Sequence, residues 1–186
     1  MVKKAAHCEA SGLKVNPSAR MLKKGFISRD DGSKFRVTGK AVDSAMTATV
    51  RFVEDVSKAV YGRMGKTKTA KVQSGRNPLH AALQDMCLSL PIDVICSGTR
   101  MAPVKGKKNK NGEIVRRSSG VGLATADALF SGDKRLSGDM KIQVANLIDA
   151  YLMKLGKLAS RFAANSKRQT VDVKDVVLAA EILRHH

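Results

Sequence analysis

Apolar residues recur every three or four positions in two long stretches of the chain, separated by a polar, glycine-rich interval. The first stretch holds Ala41, Ala45, Ala48, Phe52, Val56 and Val60, the spacing of one helix face, and predicts an amphipathic helix from about Thr38 to Met64. The second holds Ile142, Ala145, Ile148, Leu152, Leu155, Ala159 and Phe162, with Val144, Leu147, Tyr151 and Leu158 widening the stripe. A helix apolar over so wide an arc needs partners on two sides.

Each long helix is flanked by shorter helical candidates. Pro17 to Lys24 precedes the first, with proline near its start, and Asn77 to Met86 follows it, with Pro78 tolerable only in a first turn. In the second block Leu123 to Phe130 comes before the long helix and Val173 to Leu183 after it, where Asp172 or Asp175 suits a helix beginning. The chain therefore reads short–long–short, connector, short–long–short, an all-α architecture of two units. Between them, Ser97 to Gly120 includes Lys105-Gly106-Lys107-Lys108-Asn109-Lys110-Asn111-Gly112 and has no helical period, which reads as a flexible basic linker. Asn111-Gly112 before Glu113-Ile114-Val115 is equally compatible with a small hairpin. Leu88 to Cys96 is more apolar and is expected to pack on the first block.

Charge narrows the choice of partner. Lys and Arg number 34 against 16 acids, a formal charge of +18, and such a surplus repels itself unless a polyanion neutralises it. Nucleic acid is the expected ligand, and with aromatics at only 4% a stacking platform for single-stranded bases is poorly supplied, which favours double-stranded DNA. No apolar run has membrane-spanning length, and no membrane partner is expected. The first residues, Met1 to Cys8, lack a signal-peptide pattern, so export is not expected. Cys8, Cys87 and Cys96 are odd in number and widely spaced, which fits neither a disulfide framework nor a zinc motif and suggests a reducing compartment.

The stretch Lys167-Arg168-Gln169-Thr170-Val171-Asp172-Val173-Lys174-Asp175-Val176-Val177-Leu178-Ala179 resembles the second loop and last helix of a core histone. The likeness runs back through Ala150-Tyr151-Leu152 to Asp133-Lys134-Arg135-Leu136 and, with an end soon after the final helix, is most similar to histone three. In the first block, Phe35-Arg36-Val37-Thr38-Gly39 and Arg51-Phe52-Val53-Glu54-Asp55-Val56 resemble the first loop and central helix of histone four, and Lys71-Val72-Gln73 falls at its second loop. The block departs from that pattern where Ser28 to Lys34 lengthens the first loop and where Ser74-Gly75-Arg76-Asn77 lacks the family's aspartate. A four-then-three fusion resembles the histone doublets of large DNA viruses. The resemblance implies a histone-four-like fold over 1–96 with a short N-terminal tail, a basic linker over 97–120 and a histone-three-like fold over 121–186. The two repeats would clasp as an intramolecular pseudo-dimer, the first loop of each beside the second loop of the other.

What the resemblance implies for function is sequence-nonspecific packaging and wrapping of double-stranded DNA in nucleosome-like particles. Arg36 and Arg135 stand where the family inserts arginine into a narrowed minor groove. Lys34, Lys66, Lys68, Lys71, Lys134, Lys167, Arg168, Arg116 and Arg117 are further candidate phosphate contacts. Arg168 and Asp175 have the spacing of the family's internal ion pair, and with Phe162 and Asn165, where the family usually has histidine, they mark the surface for a second copy of the doublet. A second doublet resembling the other two core histones is a further implied partner, and the nucleus, or a viral factory and virion, the implied location.

Other chemistry is poorly supported. Gly62-Arg63-Met64-Gly65-Lys66-Thr67 has the tail of a phosphate-binding loop, but position 60 is valine and the segment ends a helix. His80, Cys87 and Cys96 make an incomplete ligand set, so neither metal nor cofactor is expected. No nucleophile–base or paired-carboxylate arrangement is signalled, and an enzyme is not expected. The alternative class is a histone-fold subunit of a transcription or replication complex, which need not be so basic.

Overall fold

The structure, a computed structural model, describes residues 12–64, 67–71, 77–86, 88–102, 104–108, 114–118, 120–130 and 134–185. The elements are α1 (Val15–Gly25), β1 (Arg36–Val37), α2 (Gly39–Met64), β2 (Thr69–Ala70), α3 (Pro78–Asp85), α4 (Ile92–Ile95), β3 (Val104–Lys108), β4 (Ile114–Ser118), α5 (Leu123–Phe130), β5 (Arg135–Leu136), α6 (Gly138–Asn165), β6 (Thr170–Val171) and α7 (Val173–His185).

Local chemistry sets the helix ends. Thr38 begins α2 by accepting the Ala41 N–H on its Oγ1 at 3.1 Å, and Ser137 begins α6 by accepting from Met140 N, both N-caps. Asn77 caps α3 through Oδ1, which accepts from Leu79 and His80 N–H, with Pro78 in the first turn. An asparagine thus serves the end where the histone pattern has aspartate. The α6 terminus closes with Lys167 in the left-handed region at φ 53°, while Arg168 N–H donates to Ala163 O and Lys167 N–H to Ala164 O. This is a Schellman closure, built on lysine rather than glycine.

The two long helices form the centre, where the Phe52 ring stacks on Tyr151 with centroids 4.1 Å apart and planes within 7°. The flanking helices exchange across the units: α1 packs on α6 of the other unit, α5 and α7 pack on both long helices, and α3 covers α2. The core is one continuous apolar cluster running from Leu13 through Val56, Leu83 and Phe130 to Leu152 and Leu183. Both flanks of α6 are buried, the consequence of its wide apolar stripe.

In the connector, where the sequence left a flexible linker and a small hairpin both open, strands are present. Val104–Lys108 and Ile114–Ser118 form an antiparallel ribbon, and its tip, Asn111-Gly112 included, lies outside the described residues. Leu88 to Cys96 differs from the expectation: α4 packs against α6 of the second unit as well as α3 of the first, because Asn146 Nδ2 donates to Ile95 O and Gln143 Nε2 to Cys96 O. Polar positions on an otherwise apolar helix draw that segment across.

Candidate nucleic-acid interface

Two parallel strand pairs join the units. In the first, Arg36 is in register with Thr170 and Val37 with Val171, extended by Arg36 N–H to Gln169 O at 3.0 Å. In the second, Thr69 is in register with Arg135 and Ala70 with Leu136, extended by Ser137 N–H to Ala70 O at 2.9 Å. Each pair therefore joins the loop before one long helix to the loop after the other. Val37, Ala70, Leu136 and Val171 turn toward the core, while Arg36 and Arg135 alternate outward and are exposed. Because β5 precedes α6 and β6 follows it, the pairs lie at opposite ends of a 28-residue helix, roughly 42 Å apart along its axis. A histone from Methanopyrus kandleri shares this architecture, with a TM-score of 0.59 and 20% identity, over 90% of this chain and 92% of that chain. The fold is the histone fold, present twice. No family model matches the sequence.

The two histone-fold units thus form an intramolecular pseudo-dimer, and cations gather at its two loop pairs. Lys34 is exposed beside Arg36, and Lys167 stands exposed in the facing loop. At the other end Lys68 and Lys71 are exposed beside Arg135. Lys134 is held more firmly, since its Nζ donates to Thr67 O at 3.0 Å and lies 5.7 Å from the Tyr61 ring centroid. Ion pairs among the described residues engage Arg29, Arg63, Arg100, Arg168 and Arg184, and neither Arg36 nor Arg135 has an ion-pair partner among those residues. Lys66 lies outside the described residues, and Arg116 and Arg117 occupy β4.

Arg168 is occupied differently. Its Nη1 and Nη2 donate to the two Asp175 oxygens at 2.9 and 2.5 Å, and Asp175 also accepts from Asp172 N–H at 2.9 Å. Burial pushes the Asp175 carboxyl up, but the hydrogen bonds from Arg168 and the Asp172 N–H outweigh it and hold the group below the usual carboxylate range. The fork is thereby used up in joining the β6 loop to the first turn of α7. Phe162 is half-buried and Asn165 exposed at the end of α6. Nearby in sequence to the ion pair, Val177 and Leu178 of α7 are 43% and 45% exposed, an apolar surface that the sequence reading passed over.

The lengthened first loop is internally braced: Asp31 accepts from Ser33 N–H, Arg29 pairs with Asp31 at 3.2 Å and its guanidinium lies over the Phe35 ring. Cys96 is half-buried, and burial, reinforced by Asp93, pushes its thiol up to about 11, which suits a packed side chain rather than a nucleophile. His80 faces Asp93 at 3.6 Å. Among the described residues no three metal-ligating side chains come together, and no helix is long and apolar enough to cross a membrane.

A polar ladder was also missed in the sequence. Gln143, Asn146 and Asp149 of α6 are almost wholly buried. Asn77 Nδ2 donates to Gln143 Oε1 at 2.9 Å, and Arg100 Nη2 donates to Asp149 Oδ2 at 2.8 Å. The signal was present as polar residues at every third position inside the apolar stripe.

Proposed function

We propose that this protein binds double-stranded DNA without sequence preference and wraps it in nucleosome-like particles, as a histone doublet whose first half resembles histone four and whose second half resembles histone three. The observation that carries the reading is the placement of two exposed arginines, Arg36 and Arg135, neither in an ion pair among the described residues, at the two loop pairs of one pseudo-dimer. Lysines surround each, and the whole chain carries +18. Phosphates recruited by such clusters give affinity that is indifferent to base sequence. The solved histone with this fold supports the reading.

Residues 1–96 and 121–186 would be the two repeats and 97–120 the connector. A second copy would dock at the α6–α7 end, through Phe162 and Asn165 and the exposed Val177 and Leu178, with the Arg168–Asp175 pair holding that surface in shape. A further doublet resembling the other two core histones would complete the particle, in a nucleus or in a viral factory and virion. The role is binding and bending, not catalysis.

The test is titration of duplex DNA across salt concentrations, followed by nuclease digestion of reconstituted complexes with and without a partner doublet. The expected result is a log affinity falling by about 0.9 per phosphate contact for each unit of log salt, equal affinity for unrelated sequences, and a protected DNA length. Salt-insensitive binding, or no protected length under any loading, would favour a histone-fold subunit of a larger protein complex instead.

A further inference from the structure

We infer that a groove over the middle of α6, between the end of α1 and the joint of α3 with α4, is a docking site for an acidic peptide segment of another protein, anchored by an apolar side chain. The inference goes beyond DNA binding, since no residue of the groove belongs to either strand-paired loop.

The groove has a volume of about 410 Å³, in the range of pockets that bury a ligand. One stripe of α6 runs along it, Ala150, Met153, Lys154 and Lys157, at the spacing of a single helix face. Phe26 and Ile27 line it from the end of α1, Leu90 and Pro91 from between α3 and α4, and Met101 from the start of the connector. Backbone contacts fix this frame. The Gly25 backbone lies against that of Met153, Ile27 N–H donates to Ser160 Oγ at 3.0 Å, and Met101 N–H donates to Asn146 Oδ1 at 3.0 Å. A groove already formed spares its occupant the cost of ordering the site. Because both repeats and the connector line it, the groove exists only when the clasp has closed, so an occupant reads the folded doublet and not either half.

The lining selects the occupant. Phe26, Ile27, Leu90, Met101 and Met153 are half-buried, packed on the core yet not covered by it, and the two methionines can adapt to a shape laid against them. Lys24 and Lys157 are exposed and Lys154 half-buried, and none of the three is in an ion pair among the described residues. No acid lines the groove. Asp149, next to Ala150, is 0% exposed and engaged with Arg100 at 2.8 Å. An apolar floor with a cationic rim is complementary to a segment that brings carboxylates for the lysines and an apolar side chain for the floor. Duplex DNA presents phosphates but no side chain to fill the floor. The chain itself is a poor occupant by charge, since residues 103–119 carry six cations against one acid and residues 1–11 two against one, and a second copy brings the same +18.

The experiment reads fluorescence anisotropy of a labelled, glutamate-rich helical peptide with leucines on one face, and of the same peptide with serine for leucine, against the full-length protein and two variants. The rim variant carries Lys24→Gln, Lys154→Gln and Lys157→Gln, and the floor variant Met101→Gln and Met153→Gln. The parent should bind the leucine peptide about tenfold more tightly than the serine peptide, and each variant should lose about tenfold in affinity for the leucine peptide. The floor variant should keep the parent's affinity for the serine peptide and its salt slope on duplex DNA. Equal affinity of the parent for the two peptides, or a floor variant that binds the leucine peptide as the parent does, would overturn the inference, because charge alone then explains the binding. A rim variant whose salt slope on duplex falls by about 0.9 per lysine while its peptide affinity is unchanged would make the lysines phosphate contacts instead. Self-association of the free protein that disappears in the floor variant, seen by sedimentation, would give the groove to a second copy. If the floor variant melts below the parent, the two peptides on the parent and the exposed rim variant decide the matter without it. Failure of the peptide with duplex binding intact would strike this inference and leave the DNA-binding reading standing.

Discussion

Gly156 of α6 and Leu22 of α1 meet backbone to backbone: a Cβ on the glycine would lie 2.1 Å from the Leu22 carbonyl oxygen. The same crossing holds Gly25 against Met153, where a Cβ would lie 1.8 Å from the Met153 oxygen. Neither approach leaves a flexible side chain to move, so Gly156→Ala must separate two helices that belong to different repeats. Overpacking typically costs about 1–3 kcal/mol, and the upper part of that range is expected here. Denaturant unfolding followed by hydrogen exchange should show the loss in both repeats, not only around α6. An unchanged midpoint would mean that the crossing is looser than described.

The exchange of helices between repeats leads to a second expectation. Fragments 1–98 and 119–186 each strip one side from a long helix, exposing Phe52 or Tyr151 where the rings stack. Alone they should aggregate or melt without cooperativity, and mixing should restore a single transition. Sharp, independent unfolding of both fragments would contradict the clasp.

The long helices were legible because their stripes repeat over many turns, and Leu123–Phe130 was read to the residue. Short ends were less so: α1 begins at Val15 rather than Pro17, since Ser18 Oγ bonds back to Lys14 O and draws in an earlier turn. The connector could not be chosen between linker and hairpin, because what anchors it is remote in sequence: Arg100 and Asp149 become partners only when α6 is folded under the connector. The cations of the loop pairs were legible as residues, but their opposition across β1–β6 and β2–β5 came from the histone resemblance and not from periodicity. The exposed Val177 and Leu178 went unnoticed because they share a face of α7 with the exposed Lys174, Glu181 and Arg184, a face that reads as polar.

Asp175 and Asp149 should pull the pH dependence of stability in opposite directions. Asp175 is held below its ordinary range, so it contributes stability above its unfolded pKa and loses it as pH falls through the folded value. Burial raises Asp149, against the Val121 N–H and the Arg100 charge, so its contribution is full below the unfolded pKa and fades as pH rises through the folded value. Asp175→Asn should destabilise the protein near neutrality by stranding Arg168, by less than the about 3–5 kcal/mol of a fully buried pair because the Arg168 side chain is 29% exposed, and the gap from the parent should narrow as the medium is acidified. Asp149→Asn should instead widen its gap toward low pH. Chemical denaturation at a series of pH values checks both, and parallel curves for either variant would refute its assignment.

Lys167 holds a left-handed conformation, φ 53°, where glycine is the usual residue because a Cβ crowds the following carbonyl. Lys167→Gly should relieve that strain and raise stability by up to about 1 kcal/mol. If the lysine is retained for its charge at the β1–β6 loop pair, the same variant should lower the salt slope of DNA binding by about 0.9. Calorimetric melting and salt titration of one preparation give the two numbers. A variant that is more stable and binds with an unchanged slope would show that Lys167 is not a phosphate contact.

Arg36 and Arg135 occupy equivalent places, each exposed in the two-residue strand before a long helix and each in register with a threonine of the facing loop. Strand pairing fixes the backbone at both sites, so the guanidinium groups leave the protein from rigid positions at opposite ends of the pseudo-dimer. That geometry suits bending, in which two separated minor-groove contacts hold the duplex against its stiffness. Lysine keeps the charge but loses the planar fork, which fits a narrow groove and donates several hydrogen bonds at once. The double variant Arg36→Lys with Arg135→Lys should therefore keep most of the salt-dependent affinity while protecting wrapped DNA less well from nuclease. The comparison needs matched salt and equal occupancy, because weaker loading alone also exposes DNA. Protection of the same length at the same rate in the double variant would reduce both arginines to ordinary phosphate contacts.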